Sequence, residues 1–354
     1  MPESLKQIRD EIDALDRRLV ELLSSRARLA QRIGRLKEGP AYRPEREAQV
    51  LRGVIAANPG PLPDAALARL YTEIMSACRA LEDSLSVGYL GPQGTFSQEA
   101  AAKHFGGATT LVSCNSIDEV FRQVETGALG YGVVPVENST EGAIGRTLDL
   151  LLATSARICG EVMLPIRQCL MGKSGKLADV RKVYSHTQSL GQCQQWLARH
   201  LPQAERTAVV SNAEAARLAA RDRRAAAIGP KTAAALYGLK VIAANIEDES
   251  KNTTRFLVIA AQDTARSGRD KTSLVMSTRN VPGAMHELLT PLAANQVSMT
   301  RLESRPSRAG LWEYVFYVDI EGHQSDANVA RALAELEKKA SFLKNLGSYP
   351  AAAA

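Results

Sequence analysis

Residues 4–37, SLKQIRDEIDALDRRLVELLSSRARLAQRIGRLK, decide the first part of the fold. Leu5, Ile8, Ile12, Leu15, Leu19 and Leu22, then Leu29, Ile33 and Leu36, recur in alternating steps of three and four. That is the heptad stripe of one helix face. Ser4 is of the residue type that caps a helix N-terminus, so a helix is expected from there to about Lys37. At ~1.5 Å per residue it is roughly 50 Å long, more than one small domain covers. Pro44 predicts the start of a second helix ending before Asn58-Pro59-Gly60. A third follows Pro63, with Leu67, Tyr71, Ile74, Cys78 and Leu81 on one face. One long helix with two short companions needs a partner to bury its seam, and an intertwined helical dimer is the expected solution.

The seam is interrupted between Leu22 and Leu29 by Arg26. Leu22 and Ala30 lie one turn to either side, so no neighbouring acid supplies a counter-ion. Lys37 follows three turns further along the same face. Two readings fit. Either two cations point into a bundle interior to hold a dianion, or Arg26 snorkels while Lys37 frays at the helix end.

Beyond this region the rhythm changes. Strand-like runs at Val87–Leu90, Thr109–Ser113, Gly132–Val136, Lys182–Tyr184, Ala208–Val210, Ala225–Ile228 and Thr254–Ile259 alternate with helical segments. That predicts an α/β domain or two small lobes. After the polar linker Gln262–Asp270 the order becomes strand (Ser273–Ser277), helix (Gly283–Ala294), strand (Ser298–Leu302), strand (Tyr314–Ile320), helix (Ala327–Lys338), strand. This βαββαβ order is ferredoxin-like. Three domains are expected, at 1–85, 87–262 and 271–350, in keeping with a length of 354 residues.

Composition narrows the function. With 45% hydrophobic and 23% charged residues the chain reads as globular. The net charge of +6 is spread along the chain with no basic run interleaved with aromatics, which argues against nucleic acid as a partner. Cys78, Cys114, Cys159, Cys169 and Cys193 are an odd set without a CxxC pair, so free thiols are expected rather than disulfides or a zinc site. The N-terminus lacks an apolar secretory core, and the best apolar run, Leu148–Ala153, is too short to span a bilayer. A cytoplasmic location is expected. No P-loop, nucleophile elbow, metal cluster or cofactor motif is present.

Three polar segments each follow a predicted strand: Pro135-Val136-Glu137-Asn138-Ser139, Ser185-His186-Thr187-Gln188 and Asn252-Thr253-Thr254-Arg255-Phe256. Strand ends are where α/β folds place ligands, and also where ordinary turns put Asn and Ser.

Taken with these residues, the chain resembles three families in series. Residues 1–82 are similar to the all-helical chorismate mutases, on Arg9, Arg26, Lys37, the Arg46-Glu47 pair and Cys78 with Glu82. The resemblance implies a homodimer in which Arg9 from the partner chain joins Arg26 in clamping two carboxylates, as guanidinium geometry allows. Lys37 and Glu82 would donate to the ether oxygen and Glu47 would accept from the ring hydroxyl. The rearrangement needs only a held conformer and stabilised charge. Arg43 stands where some relatives carry an acid, so only a main-chain contact is expected of it, with Arg46 beside it. Cys78 replaces a small, often hydroxylated residue, and packing is its expected role.

The Gly91–Ser97 turn, the Val-Glu-Asn-Ser loop, the Ser-His…Gln-Cys stretch and Thr-Arg-Phe resemble, in order, the prephenate dehydratases, whose fold is like the two-lobed periplasmic binding proteins. The implied lyase reaction removes carbon dioxide and the ring hydroxyl from prephenate to give phenylpyruvate. Thr254 would lie nearest the leaving group and Arg255 beside it. Thr95, Ser97, Glu137, Asn138, Ser139 and Gln192 would line the cleft. His186 is either the general acid or a packed strand-end histidine, and Thr187 stands where relatives often have Pro.

Residues 271–350 resemble an ACT domain. Gly283-Ala284-Met285 sits at the turn where that family holds an amino acid, and Glu303-Ser304-Arg305-Pro306 matches a second regulatory motif of the dehydratases. The resemblance implies phenylalanine as a feedback inhibitor, its carboxylate at a helix N-terminus, lined by Asn280, Gly283, Ala284 and Leu302. The implied whole is a bifunctional isomerase and lyase of phenylalanine biosynthesis that needs no cofactor. Two alternatives remain: a non-catalytic sensor of an aromatic amino acid, and a dehydratase preferring arogenate. Glu82 stands where many relatives carry Gln, and a carboxylate cannot donate. Mutase activity is therefore expected to fall as pH rises, and Glu82→Gln to flatten that profile. A flat wild-type profile from about pH 5 to 9 speaks against a protonated Glu82.

Overall fold

The computed structural model describes residues 4–36, 39–307 and 314–352. It opens with α1 (Leu5–Leu36), α2 (Pro44–Ala56) and α3 (Asp64–Arg79), the three helices that periodicity predicts. Ser4 and Gln7 exchange side-chain to backbone hydrogen bonds at 3.2 and 2.9 Å, a capping box that fixes the start of α1. None of the residues of α1 is buried. Leu15, Leu19, Leu22, Leu29 and Ile33 stand 54–60% exposed. Covering what remains exposed is worth ~1–1.5 kcal/mol for each, about half the value of a full burial, so a single chain leaves a long apolar seam in water.

The middle region has two lobes. The first contains β1 (Ser86–Leu90), α4 (Phe96–Phe105), β2 (Thr110–Cys114), α5 (Ile117–Glu125), β3 (Tyr131–Asn138), the short β4 (Gly142–Ala143), α6 (Gly145–Ala153) and β5 (Arg157–Pro165). The chain then crosses to a second lobe of β6 (Cys169–Gly172), β7 (Lys182–His186), α7 (Thr187–Gln192), α8 (Gln194–His200), β8 (Glu205–Val209), α9 (Asn212–Ala219), β9 (Ala225–Gly229), α10 (Lys231–Leu236) and β10 (Lys240–Ala244). It returns to place β11 (Thr253–Ala260) between β3 and β5. The lobe sheets run β2-β1-β3-β11-β5 and β10-β6-β9-β7-β8. Glu247 braces the two crossings, accepting from the Gln168 amide and from Arg167 Nη1, both at 2.8 Å. Strands β5, β6 and β10 were not expected. β5 is buried along most of its length, so it lacks alternation, and β6 spans four residues.

The C-terminal region is β12 (Asp270–Ser277), α11 (Ala284–Ala294), β13 (Met299–Pro306), β14 (Tyr314–Glu321), α12 (Ala327–Lys339) and β15 (Phe342–Pro350). Its order β13-β14-β12-β15 is the ferredoxin-like one expected. One sheet face packs under α11 and α12 through Leu274, Met276, Leu288, Val318 and Leu336. The other continues the core of the first lobe, where Val275, Tyr317 and Leu346 meet Val136, Leu148 and Ile158. β15 passes so close to β5 that a Cβ on Gly347, whose φ is +140°, would lie 2.3 Å from the Ile158 carbonyl oxygen.

The helical region is tied to the first lobe by Tyr42, which is 2% exposed and packs among Val87, Phe105 and Tyr131. Its hydroxyl shares a 2.6 Å hydrogen bond with His104 Nε2, and the Arg79 guanidinium stacks 5.1 Å from its ring centre. Arg79 also donates to the Phe105 carbonyl at 2.5 Å and pairs with Glu47. No helix among the described residues is long and apolar enough to cross a membrane.

Two outcomes follow from this packing. Gly347→Ala is expected to lower stability by ~2 kcal/mol, because backbone conformation and the Ile158 carbonyl both oppose a side chain; denaturant unfolding checks it. Burial, then Arg79 and Lys103, pull His104 down to about 4. Its folded value lies below the unfolded one of ~6.5, so the unfolded chain binds the extra proton as pH falls. Stability should decline between about pH 6.5 and 4, at no more than ~1.4 kcal/mol per pH unit, and His104→Phe should flatten that limb.

Candidate active sites

A cleft of about 690 Å³ runs between the two lobes. Thr95, Ser97, Asn138, His186, Gln192 and Thr254, six of the predicted residues, line it together. Asn138 on β3 sits opposite Thr254 on β11. Its Nδ2 donates to Thr254 Oγ1 at 2.9 Å and to Asn252 Oδ1 at 2.8 Å. Its Oδ1 accepts the Thr140 and Glu141 amides at 3.0 and 3.1 Å. Every hydrogen-bonding position of the Asn138 amide is thus used and its orientation is fixed. Thr254 accepts, and its own hydroxyl proton has no protein acceptor among the described residues.

No Lys or Arg lines the cleft among the described residues. Helix starts take their place. Thr95, Ser116 and Ser211 cap α4, α5 and α9 by accepting an amide three residues on. Gln98 and Glu119 reach back to the Gly94 and Asn115 amides at 2.7 Å, holding the residue just ahead of each cap. Unsatisfied amides and the partial positive charge of helix N-termini favour anions there. His186 Nδ1 accepts from the Gln188 amide at 3.4 Å, which puts the neutral ring's proton on Nε2. Gln192 joins the lobes, donating to Glu141 Oε1 and accepting from Gln168 Nε2, each at 3.0 Å.

Asn115, Gln168, Ser189 and Asn212 also line the cleft and were missed. The Ser116…Glu119 and Ser211…Glu214 pairs were legible capping signals for the helices beside two of them. Gln168 lies in a crossing segment that no pattern marks.

Three expected cleft residues lie elsewhere. Successive side chains of a strand point to opposite faces, so with Asn138 and Thr254 on the cleft side Glu137 and Arg255 must take the other. Glu137 Oε2 accepts from Arg301 Nε at 2.7 Å. Arg255, 8% exposed, pairs with Glu161 at 2.8 Å and Asp319 at 2.5 Å. Ser139 Oγ accepts the Thr253 amide at 3.0 Å and holds the turn beyond β3.

The same alternation divides the regulatory motif. Leu302, Ser304 and Pro306 are exposed on β13, whereas Arg305 turns the other way and donates to Asp149 Oδ1 on α6 at 3.0 Å. Glu303 shares the Arg305 side of the strand, opposite to Leu302, Ser304 and Pro306. Gly283, at φ +81°, caps α11 ahead of buried Ala284, and Asn280 is exposed nearby in the same loop.

In the helical region Arg26 Nη1 donates to Cys78 Sγ at 3.0 Å, a polar contact where only packing was expected. The Glu82 side chain lies against Gly34 of α1. Glu47 pairs with Arg79, an arginine the sequence reading passed over, rather than standing ready for a ring hydroxyl alone. Arg43 caps α2 through its backbone, and Arg43 and Arg46 are both exposed. Arg9 precedes Arg26 by about 25 Å along one straight helix, so a single chain does not bring them together. Lys37 lies outside the described residues.

Residues 8–83 match the type II chorismate mutase family, 87–264 the prephenate dehydratase family and 272–338 the ACT domain family. A bifunctional chorismate mutase/prephenate dehydratase of Neisseria gonorrhoeae is 54% identical over 348 residues, covering 97% of this chain and 96% of its own. Among solved structures, a prephenate dehydratase from Arthrobacter aurescens in complex with L-Phe is 34% identical with a TM-score of 0.70, covering 75% of this chain and 90% of its own. A quorum-quenching acylase is 28% identical with a TM-score of 0.69, covering 75% and 98%. On identity that runs through all three regions, the chain belongs to the bifunctional chorismate mutase/prephenate dehydratase family.

Proposed function

We propose that the chain carries chorismate to phenylpyruvate at two sites, with Thr254 donating the hydrogen bond under which the ring hydroxyl of prephenate leaves. The Asn138–Thr254 contact carries this reading, because it holds Thr254 as acceptor and leaves its proton for the cleft. In the dehydration one carboxylate departs as carbon dioxide and its bonding pair enters the ring. The C–O bond across the ring breaks, and the hydroxide takes one proton to leave as water. An alcohol is too weak an acid to supply that proton alone, so Thr254 orients and relays it, with His186 on the opposite wall as its source when protonated, a form in which Nδ1 gives up its bond from the Gln188 amide. Leu90, Phe96, Ile144, Ile166 and Phe256 give the cleft an apolar side. A carboxylate held there without a guanidinium is freer to leave as a neutral gas.

The two acids of the lining are engaged, Glu141 by Gln192 and Glu214 by Arg217. Glu141 keeps its charge, since Gln192 is a neutral donor, and prephenate rather than arogenate is supported by the relatives named as prephenate dehydratases. The mutase site, in this reading, gathers Arg26, Lys37, Glu47 and Glu82 of one chain with Arg9 of a second. The exposed seam of α1 supports that homodimer. Domain divisions at 1–85, 87–262 and 271–350, a cytoplasmic location and phenylalanine as the ACT effector near Gly283 complete the proposal. The L-Phe bound by the Arthrobacter aurescens relative supports the effector.

Thr254→Val is expected to lower dehydratase kcat by ~10²–10⁴ while mutase activity stays within about twofold, and Arg26→Ala to do the reverse. Equal losses of both activities in either variant would contradict separate sites. Leu15→Asp with Leu22→Asp should yield a chain that sediments as a smaller species and lacks mutase activity. Mutase activity in a monomer rules out Arg9 from a partner.

A further inference from the structure

Behind the cleft lies a closed ring of buried polar groups that the reaction chemistry does not use. Arg255 Nη2 donates to Tyr349 Oη at 2.9 Å, Tyr349 Oη and Ser273 Oγ share a hydrogen bond at 2.7 Å, and Ser273 Oγ donates to Asp319 Oδ1 at 2.6 Å. Asp319 Oδ2 accepts from Arg255 Nη1 at 2.5 Å and closes the ring. Since Ser273 donates to Asp319, Tyr349 must donate to Ser273, and both arms of the ring run from the Arg255 donors to the Asp319 acceptors. Arg255 Nε donates to Glu161 Oε2 at 2.8 Å, and Lys271 Nζ reaches the other Glu161 oxygen at 2.8 Å. Two cations and two anions therefore balance. Arg255, Glu161, Ser273, Asp319 and Tyr349 are all under 9% exposed.

Arg255 sits between Thr254 and Phe256, both of which line the cleft. The ladder is irregular at this point. Thr254 faces Asn138 and Arg255 faces Glu137, but Phe256 faces Pro135, leaving Val136 as an extra residue on β3. Such a bulge re-aims side chains and needs its register pinned. The Arg255 fork supplies the pin, spanning β5 of the lobe and both β14 and β15 of the ACT sheet.

We propose that Arg255 is a positioning residue for dehydration: through Asp319 and Tyr349 it locks β11 to the ACT sheet and so fixes the direction of the Thr254 hydroxyl. Among the described residues no ACT residue lines the cleft, yet the ACT sheet becomes part of the site's framework. The inference rests on the role proposed for Thr254.

Asp319→Asn and Tyr349→Phe each open the ring while keeping side-chain size. Both are expected to lower dehydratase kcat by ~10-fold or more with KM within about twofold and mutase activity unchanged. Arg255→Lys, which keeps the charge but not the fork, should fall at least as far. In a Thr254→Val background Asp319→Asn should cost nothing further, because the group it positions is gone. Unchanged kcat in both ring variants, or losses that multiply with Thr254→Val, overturns the proposal. Should Asp319→Asn fail to fold, Tyr349→Phe decides by the same readouts. Intact dehydration in Thr254→Val alone would instead remove the Thr254 reading on which this one stands.

Discussion

β3 and β11 run side by side through the middle of the first lobe, and each can offer side chains to only two opposite faces. One face opens on the cleft with Asn138 and Thr254. The other carries Glu137 and Arg255 into contact with the ACT sheet. Alternation along two adjacent strands thus makes catalysis and domain docking neighbours one residue apart. The arrangement is demanding, since removing one partner of a buried ion pair costs ~3–5 kcal/mol. It is satisfied here because Glu161 and Asp319 neutralise Arg255 and Lys271, and because Ser273 and Tyr349 occupy the remaining donors and acceptors. Burial pushes the Tyr349 phenol well above its ordinary value, so it serves as a neutral relay rather than a third anion.

A second junction follows the same economy. Arg79 pairs with Glu47 on α2, lies over the Tyr42 ring and donates to the Phe105 carbonyl of α4. One guanidinium therefore touches a carboxylate of the mutase region and the backbone of the dehydratase lobe. Tyr42 deepens the joint, because its ring belongs to the lobe's own core although its chain segment belongs to the helices. α2 reaches the ACT linker as well, through Gln49 and the Arg266 carbonyl at 3.4 Å. The three regions are joined pairwise and are not simply strung along a chain.

Much of this was legible beforehand where periodicity is strong. Leu5 to Leu36 announced α1 almost to the residue, and the βαββαβ order of the C-terminal region was read correctly. What failed was direction. Glu137-Asn138-Ser139 and Thr254-Arg255 each read in sequence as one cleft-lining block, whereas a strand shows only every second residue to one side. The bulge at Val136 hides even that parity from a reader of the sequence. Arg79 escaped notice because its partners, Glu47 and Phe105, are 32 and 26 residues away, separations that no local pattern encodes. The Asp319–Arg255 bond spans 64 residues and two domains, beyond any motif.

The path of the chain carries one more consequence. The strand that joins β3 to β5 in the first lobe, β11, is the last of that lobe to be synthesised, and β5 pairs with the sheet only through it. Until residues 253–260 emerge from the ribosome, β5 has no neighbour and β3 presents a bare edge. The second lobe, whose strands are contiguous in the sequence, can close first. Long-range closure of this kind is slow, and unpaired edges invite association with other chains. Thr254 arrives on the strand that completes the sheet, so the dehydratase centre and the seal of its own scaffold are made in a single folding event.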